Sequence, residues 1–251
     1  MTPIQEIISR ATIEGNILRL HQSQLDRKVY QDVAKAIDLI GGKWKGGKVA
    51  GFVFDADPTE KVDIILRGEK IVSAKKEYQY FETPVLLAHR MVKMAEIQAH
   101  HSVLEPSAGQ GAIVHQIVRA QPTMEVDCFE LMPENQEILK LNFADDINFL
   151  GADFLADGIP STKKWDRIIA NPPFSNNQDI DHVRKMFCLL APKGILVSIM
   201  SPHWTFAAEK KCVEFREWFM KAKGAPVELD PGTFKESGTA IRTILVKITK
   251  P

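Results

Sequence analysis

Residues 171–174 read Asn171-Pro172-Pro173-Phe174. Two successive prolines remove two backbone donors and restrict three φ angles. What remains is a rigid loop that offers acceptors only: the Asn171 side-chain oxygen and the Pro172 carbonyl. Phe174 adds a flat apolar face beside them. These parts suit a planar target whose amino nitrogen is conjugated to a ring or a carbonyl. Such a nitrogen is a poor nucleophile because its lone pair is delocalised. Two acceptors gripping its two hydrogens favour pyramidal geometry, and they stabilise positive charge that develops on nitrogen as it is alkylated. The aromatic face holds the planar group in line with an electrophilic methyl. No general base is needed, since the proton can leave after transfer.

A second run, Val103-Leu104-Glu105-Pro106-Ser107-Ala108-Gly109-Gln110-Gly111, lies between an apolar strand-like segment and a helix-like one. Glycines at such a turn let the backbone approach a ligand, and the helix N-terminus that follows favours polar or negative groups. A plain strand-to-helix turn has the same spelling. Glu105 closes the strand, where a carboxylate can face a ligand's amino group. Glu130 closes the next strand, where an acid meets ribose hydroxyls. Val114 stands where a dinucleotide fingerprint has its third glycine, which disfavours a nicotinamide cofactor. Asp153, in Gly151-Ala152-Asp153-Phe154, has two readings: it caps a turn, or it accepts from an adenine amino group with Phe154 packed on the ring.

The elements that must position these residues show in the periodicity. From about residue 78, strands are predicted at Ser102–Glu105, Met124–Glu130, Ile147–Leu150, Asp166–Ala170, Gly194–Met200, Pro226–Leu229 and Ala240–Ile248. Helices are predicted from Thr83-Pro84 to about Gln98, and over Ala112–Ala120, Pro133–Phe143, Asp179–Leu190 and Glu209–Lys223. The alternation predicts an α/β fold: a mostly parallel, Rossmann-like sheet covered on both faces. The last two strands lack an intervening helix, so that pair is expected to be antiparallel. Both chemical runs then fall at the carboxyl ends of strands, where ligands bind in open α/β sheets.

Residues 1–77 read as a separate small α+β module. A strand is predicted at Asn16–Leu20, a helix from the Asp26 cap to about Ile40 ended by Gly41-Gly42, a strand at Lys48–Phe54, and a helix from Asp57-Pro58 toward Arg67. Lys43-Trp44-Lys45-Gly46-Gly47-Lys48 is either a loop contacting phosphates and stacking a base, or a solvated connection with Trp44 on the small core. The module carries 13 basic and 11 acidic residues, which is weak support for the first reading. Lys75-Lys76, Lys163-Lys164 and Lys210-Lys211 read as solvated charges.

Composition sets the outer bounds. The 251 residues hold 32 basic and 32 acidic side chains, so a field that retains nucleic acid indiscriminately is not expected. Cys128, Cys188 and Cys212 are far apart and without metal-ligand spacing, which reads as reduced, buried thiols. No paired metal ligands are seen, and no metal is expected. No signal pattern and no apolar stretch of membrane length are present, so a cytoplasmic protein is expected. His203-Trp204, after a strand end, reads as a rim histidine and a packed tryptophan, with a role in packing the target base as the alternative.

The segment order Phe81-Glu82-Thr83-Pro84, then Glu105–Gly111, then Asn171–Phe174 resembles the class I S-adenosylmethionine-dependent methyltransferases, and more narrowly the gamma arrangement of the N6-adenine DNA methyltransferases. The resemblance covers about residues 78–250. It implies S-adenosylmethionine as cofactor, enclosed by Phe81, Thr83 and Pro84. It implies that the loop Glu105, Pro106, Ser107, Ala108, Gly109 and Gly111 holds the methionine moiety, that Glu130 holds the ribose, and that Asp153 and Phe154 hold the adenine. Asn171, Pro172, Pro173 and Phe174 would hold the target base. Phe234-Lys235-Glu236-Ser237-Gly238-Thr239 with Arg242 looks like the loop that closes over the target. Residues 1–77, with Leu25-Asp26-Arg27-Lys28, look like a short module found ahead of phage and prophage methyltransferases. The catalytic run by itself fits adenine in DNA, an RNA base or a protein glutamine; the early Phe81–Pro84 segment favours DNA. The family usually carries a large target-recognition domain. No stretch of that size is evident, so recognition is expected from residues 1–77, from loose contacts, or from a separate subunit.

Overall fold

The computed structural model describes residues 1–21, 25–68, 81–160, 162–230, 232–234 and 242–251. The chain divides into two compact units, Met1–Glu77 and Tyr78–Pro251.

The first unit is a four-stranded antiparallel sheet backed by helices. Its elements are α1 (Pro3–Ser9), β1 (Thr12–Glu14), β2 (Ile17–Arg19), α2 (Arg27–Leu39), β3 (Lys43–Lys45), β4 (Gly51–Val53) and α3 (Thr59–Leu66), with strand order β1-β2-β4-β3. Asp26 caps α2 as expected, accepting from the Lys28 and Val29 N–H groups. Ile8, Leu18, Val33, Ile37, Phe52 and Ile65 form a core of their own. The structure corrects the β-α-β-α reading by adding α1, β1 and β3. Helix α1 opens with a capping box between Thr2 and Gln5 and with proline in its first turn, a local signal present in the sequence. The Gln5 amide also donates to the Ile65 and Leu66 carbonyls, satisfying the end of α3. β3 was expected as a loop from its lysines and the glycines that follow; it is an edge strand with all three residues exposed, and a lysine-flanked edge shows no apolar alternation. Trp44 is 52% exposed and meets Phe52 edge-on at 5.2 Å.

The second unit carries α4 (Val85–Ala95), β5 (Val103–Glu105), α5 (Ala112–Ala120), β6 (Val126–Phe129), α6 (Pro133–Phe143), β7 (Ile147–Gly151), β8 (Trp165–Ala170), a 3-10 turn (Ser175–Asn177), α7 (Gln178–Leu189), β9 (Leu190–Met200), α8 (His203–Phe206), α9 (Lys210–Lys221), β10 (Ala225–Glu228) and β11 (Ile244–Thr249). The sheet order is β10-β11-β9-β8-β5-β6-β7. Strands β5 to β9 are parallel to one another. β11 runs antiparallel to both β9 and β10, so the reversed strand lies one place in from the edge. The Rossmann-like α/β sheet expected from the alternation is the observed fold. Adjacent strand residues face opposite layers. Val103, Ile169, Val197 and Leu245 meet α4, α5 and α6 through Met91, Ile113 and Leu139. Leu104, Ile168, Leu196 and Val246 meet α7 and α9 through Val183, Met186 and Phe215.

This order makes β5 the switch point: the chain builds outward through β6 and β7, then returns to place β8 on the other side of β5. The carboxyl ends of β5 and β8 are therefore neighbours, and they carry Glu105 and Asn171. A crevice at that position is where such sheets bind ligands. Among the described residues no helix is long and apolar enough to cross a membrane. Lys75-Lys76 and residues 235–239 of the expected closing loop lie outside the described residues. Phe234 is 2% exposed and is part of the core against Leu245 and its neighbours.

Candidate active site

A cleft of about 860 Å3, including its open mouth, lies at the carboxyl ends of β5, β6, β7 and β8. Twelve of the residues expected to form the site border it: Phe81, Thr83, Glu105, Pro106, Ser107, Ala108, Gly109, Glu130, Asp153, Phe154, Asn171 and Pro173. Four expected residues stand beside it instead. Pro84 is the N-cap of α4, Gly111 the N-cap of α5 and Phe174 the N-cap of the 3-10 turn; Pro172 is buried.

The glycine loop is shaped by its neighbours as well as by any ligand. Gly109 has φ +57° and Gly111 has φ +91°, both in the left-handed region. A Cβ on Gly111 would lie 2.3 Å from Phe143 Cε2, so close packing on α6 also demands glycine there. Glu130 clasps the loop to the tip of β6. Its Oε2 accepts from Gly109 N–H at 2.7 Å, and its Oε1 accepts from Met132 N–H at 2.8 Å and from Asn135 Nδ2 at 3.3 Å. A carboxylate has about four acceptor positions, so one stays open on Oε2 for a hydroxyl donor.

Glu105 differs. It is 1% exposed, and its Oε2 is buried without a hydrogen-bond partner among the described residues. Burial, and next the nearby Glu130 charge, push its carboxyl well above the usual range, against a supporting N–H from Val114. A buried polar atom left in this state costs stability until a ligand or a water supplies its partner.

The loop after β7 is braced by a turn and by α7. Asp153 Oδ1 accepts from Leu155 N–H at 2.8 Å and Ala156 N–H at 3.2 Å, so the turn-capping reading holds for that oxygen. Phe154 is 2% exposed and packs edge-on against Phe129 at 5.5 Å. Lys185 of α7 donates to the carbonyls of Phe154, Leu155 and Asp157, fastening the loop to the helix.

Asn171 is held in one orientation. Its Nδ2 donates to the Phe81 carbonyl at 3.0 Å and to Thr83 Oγ1 at 3.1 Å. The Phe81 carbonyl can only accept, which fixes the amide's nitrogen on that side and turns Oδ1 the other way. The early segment and the catalytic run, ninety positions apart, thus form one wall. Beyond the run, the 1%-exposed Asp179 accepts from Ser201 N–H at 2.9 Å and ties the start of α7 to the end of β9. Burial raises its carboxyl to about 6.

Further residues border the cleft that the sequence pattern did not single out: Gln110, Leu131, Met132, Gln178 and His182 among them. The spacing of Gln178 and His182 placed both on one helical face directly after the catalytic run, and that was the available signal. Trp204 is 4% exposed and packs against Phe215 and Phe219, as the packed-tryptophan reading has it. His203, Glu209 and Cys212 bring three potential ligand atoms within 4.8 Å of one another. The Glu209 carboxylate already partners both others and Asn177 as well.

Comparison with known proteins agrees with the fold. The chain is 32% identical over 88 residues to the tRNA1(Val) (adenine(37)-N6)-methyltransferase of Aliivibrio fischeri, covering 33% of this chain and 37% of that one. It is 34% identical over 93 residues to the ribosomal RNA small subunit methyltransferase C of Shewanella sediminis, covering 37% and 25%. The matches therefore span about a third or less of those relatives' lengths. Among solved structures, the type I restriction-modification system methyltransferase subunit from Streptococcus thermophilus shares the fold, with a TM-score of 0.58, 16% identity, and coverage of 68% of this chain and 45% of that one. The family model for the methyltransferase small domain matches residues 83–208, half of the chain, from the Thr83 wall of the cleft through the catalytic run to the end of α8. The chain belongs to the methyltransferase small domain family, whose members take their methyl group from S-adenosylmethionine.

Proposed function

We propose that this protein transfers a methyl group from S-adenosylmethionine to the exocyclic N6 of adenine in DNA. The observation that carries the reading is the pinned Asn171 amide, whose nitrogen is committed to Phe81 and Thr83 so that its oxygen is left as a fixed acceptor. The residues fit the donor. The buried Glu105 Oε2 needs a cationic or amino partner, and the methionine moiety carries an ammonium. Glu130 keeps an acceptor position for a ribose hydroxyl, and Asp153 and Phe154 border the far end of the cleft, where the adenine would lie.

When bound, S-adenosylmethionine supplies a methyl group on a cationic sulfur that leaves as a neutral thioether. Asn171 Oδ1 and the Pro172 carbonyl accept the two amino hydrogens of the target. The nitrogen lone pair, freed from the ring, forms the new N–C bond as the C–S bond breaks. The acceptors stabilise the charge then carried by nitrogen, and the surplus proton passes to water. Phe174 stacks on the target base. For duplex DNA the base must leave the stack, at a cost of a few kcal/mol. Phosphate contacts and recognition fall to residues 1–77, where the edge strand Lys43–Lys45 offers two lysines and an exposed indole, or to a separate recognition subunit.

A second reading on the same scaffold is methylation of an RNA base or a protein glutamine; the names of the relatives from Aliivibrio fischeri and Shewanella sediminis favour RNA. A third, a non-catalytic binding protein that keeps the cofactor fold, leaves the pinned Asn171 without a purpose. Methyl-labelled donor offered with DNA, RNA and protein separates them: label in N6-methyladenine of DNA is expected, label confined to RNA or protein replaces the first reading with the second, and donor binding without turnover supports the third.

A further inference from the structure

Helix α7 carries a second reading group into the cleft. Gln178 and His182 are one turn apart and both border the cleft next to Asp153 and Phe154. His182 is 6% exposed, and its ring lies 5.6 Å from that of Phe154 at an angle of 33°. Its Nδ1 is 3.0 Å from the Gln178 carbonyl oxygen. A carbonyl only accepts, so Nδ1 carries the hydrogen and donates it. Burial disfavours the charged ring, so the other nitrogen, Nε2, is a bare acceptor. No partner for Nε2 is found among the described residues. Three residues further along the helix, Lys185 grips the carbonyls of Phe154, Leu155 and Asp157, which fixes the spacing between the His182 ring and the Asp153 loop. Asp153 has spent Oδ1 on its own turn and keeps Oδ2 for a ligand. An adenine 6-amino group has two hydrogens to place.

We infer that His182 Nε2 is a specificity-determining acceptor for the 6-amino group of the cofactor's adenine, acting beside Asp153. The inference rests on the proposed placement of S-adenosylmethionine with its adenine at the Asp153–Phe154 end. It makes the helix that follows the catalytic run a reader of the cofactor base.

The test is calorimetric titration with two probes: S-adenosylhomocysteine and its hypoxanthine analogue, which replaces the amino group by a carbonyl oxygen. Wild type is expected to prefer the adenine form by about tenfold or more, the worth of a buried hydrogen bond together with the repulsion of two facing acceptors. His182→Ala should bind the adenine form about tenfold more weakly and the hypoxanthine form no more weakly, so that the preference falls to what Asp153 alone supplies. His182→Gln, which restores an acceptor oxygen, should recover part of the preference. Equal weakening of both probes in His182→Ala would mean that the ring only packs against Phe154, and the inference would be wrong. Failure of wild type to bind either probe would remove the cofactor placement itself, and the inference with it. The two failures are distinguished by the wild-type titration alone.

Discussion

Replacing Glu105 by glutamine should move ligand affinity and apo stability in opposite directions. The carboxyl is 1% exposed, its Oε2 has no partner among the described residues, and Glu130 repels it. If Oε2 waits for the ammonium of S-adenosylmethionine, the amide forfeits a charge-assisted hydrogen bond worth about 1.5–3 kcal/mol, or roughly 10- to 150-fold in affinity. The unliganded protein responds the other way. A carboxyl whose folded pKa lies above its unfolded value contributes stability in full only below the unfolded value, and loses it as the pH rises toward the folded one. Glutamine removes that loss, so Glu105→Gln should melt higher than wild type at pH 8 and at about the same temperature at pH 4. Burial and Glu130 favour the protonated carboxyl and a bound ammonium favours the ionised one, so titration of wild type should release protons, seen as a dependence of the heat on the buffer's ionisation enthalpy. The variant should show no such dependence. Wild-type affinity in Glu105→Gln, or a lower melting temperature of its unliganded form at pH 8, would refute the reasoning.

Two further substitutions test the scaffold. Asp179 titrates near 6 when folded against an ordinary 3.8, so its contribution is complete below about pH 4 and lost by about pH 6, amounting to about 3 kcal/mol. The difference in denaturation midpoint between wild type and Asp179→Asn should therefore change between pH 4 and 6.5 and stay level above; a difference independent of pH would contradict the assignment. Gly111→Ala combines a left-handed φ with a contact of 2.3 Å on Phe143 and should cost about 3 kcal/mol, whereas Gly158→Ala, with open space around it, should be within about 1 kcal/mol of wild type. Equal unfolding midpoints for the two variants would show that the glycine loop is not held against α6 as described.

Much of the second unit was legible because its central strands are buried on both faces and most of its helices are amphipathic. Helices Ala112–Ala120 and Pro133–Phe143 match their expected bounds. Helix α4 stops at Ala95, short of the expected Gln98, because Glu96 takes a left-handed φ of 53° that its residue type does not announce. β9 begins at Leu190, before Gly194, because its irregular pairing starts opposite Trp165. The first unit was harder to read: an exposed edge strand such as Lys43–Lys45 carries no alternation. At the site, residue types pointed to the acceptor-only run and to the acids at strand ends. They did not reveal that Asn171 is oriented by Phe81 and Thr83, since that bond joins segments far apart in the chain. Nor did they reveal His182, which sits on a helix whose pattern reads as ordinary packing and becomes a cleft residue only once α7 lies against the Asp153 loop.

The central claim is that the pinned Asn171 oxygen activates an adenine amino group in DNA. The most direct measurement maps methylated bases at single-base resolution in DNA from cells expressing wild type or Asn171→Ala, with S-adenosylmethionine binding checked on both purified proteins. N6-methyladenine at a defined set of positions with wild type, absent with the variant although its donor binding stays within about threefold of wild type, is the predicted result. Equal methylation with the variant, or DNA free of N6-methyladenine while wild type methylates RNA or protein, would contradict it.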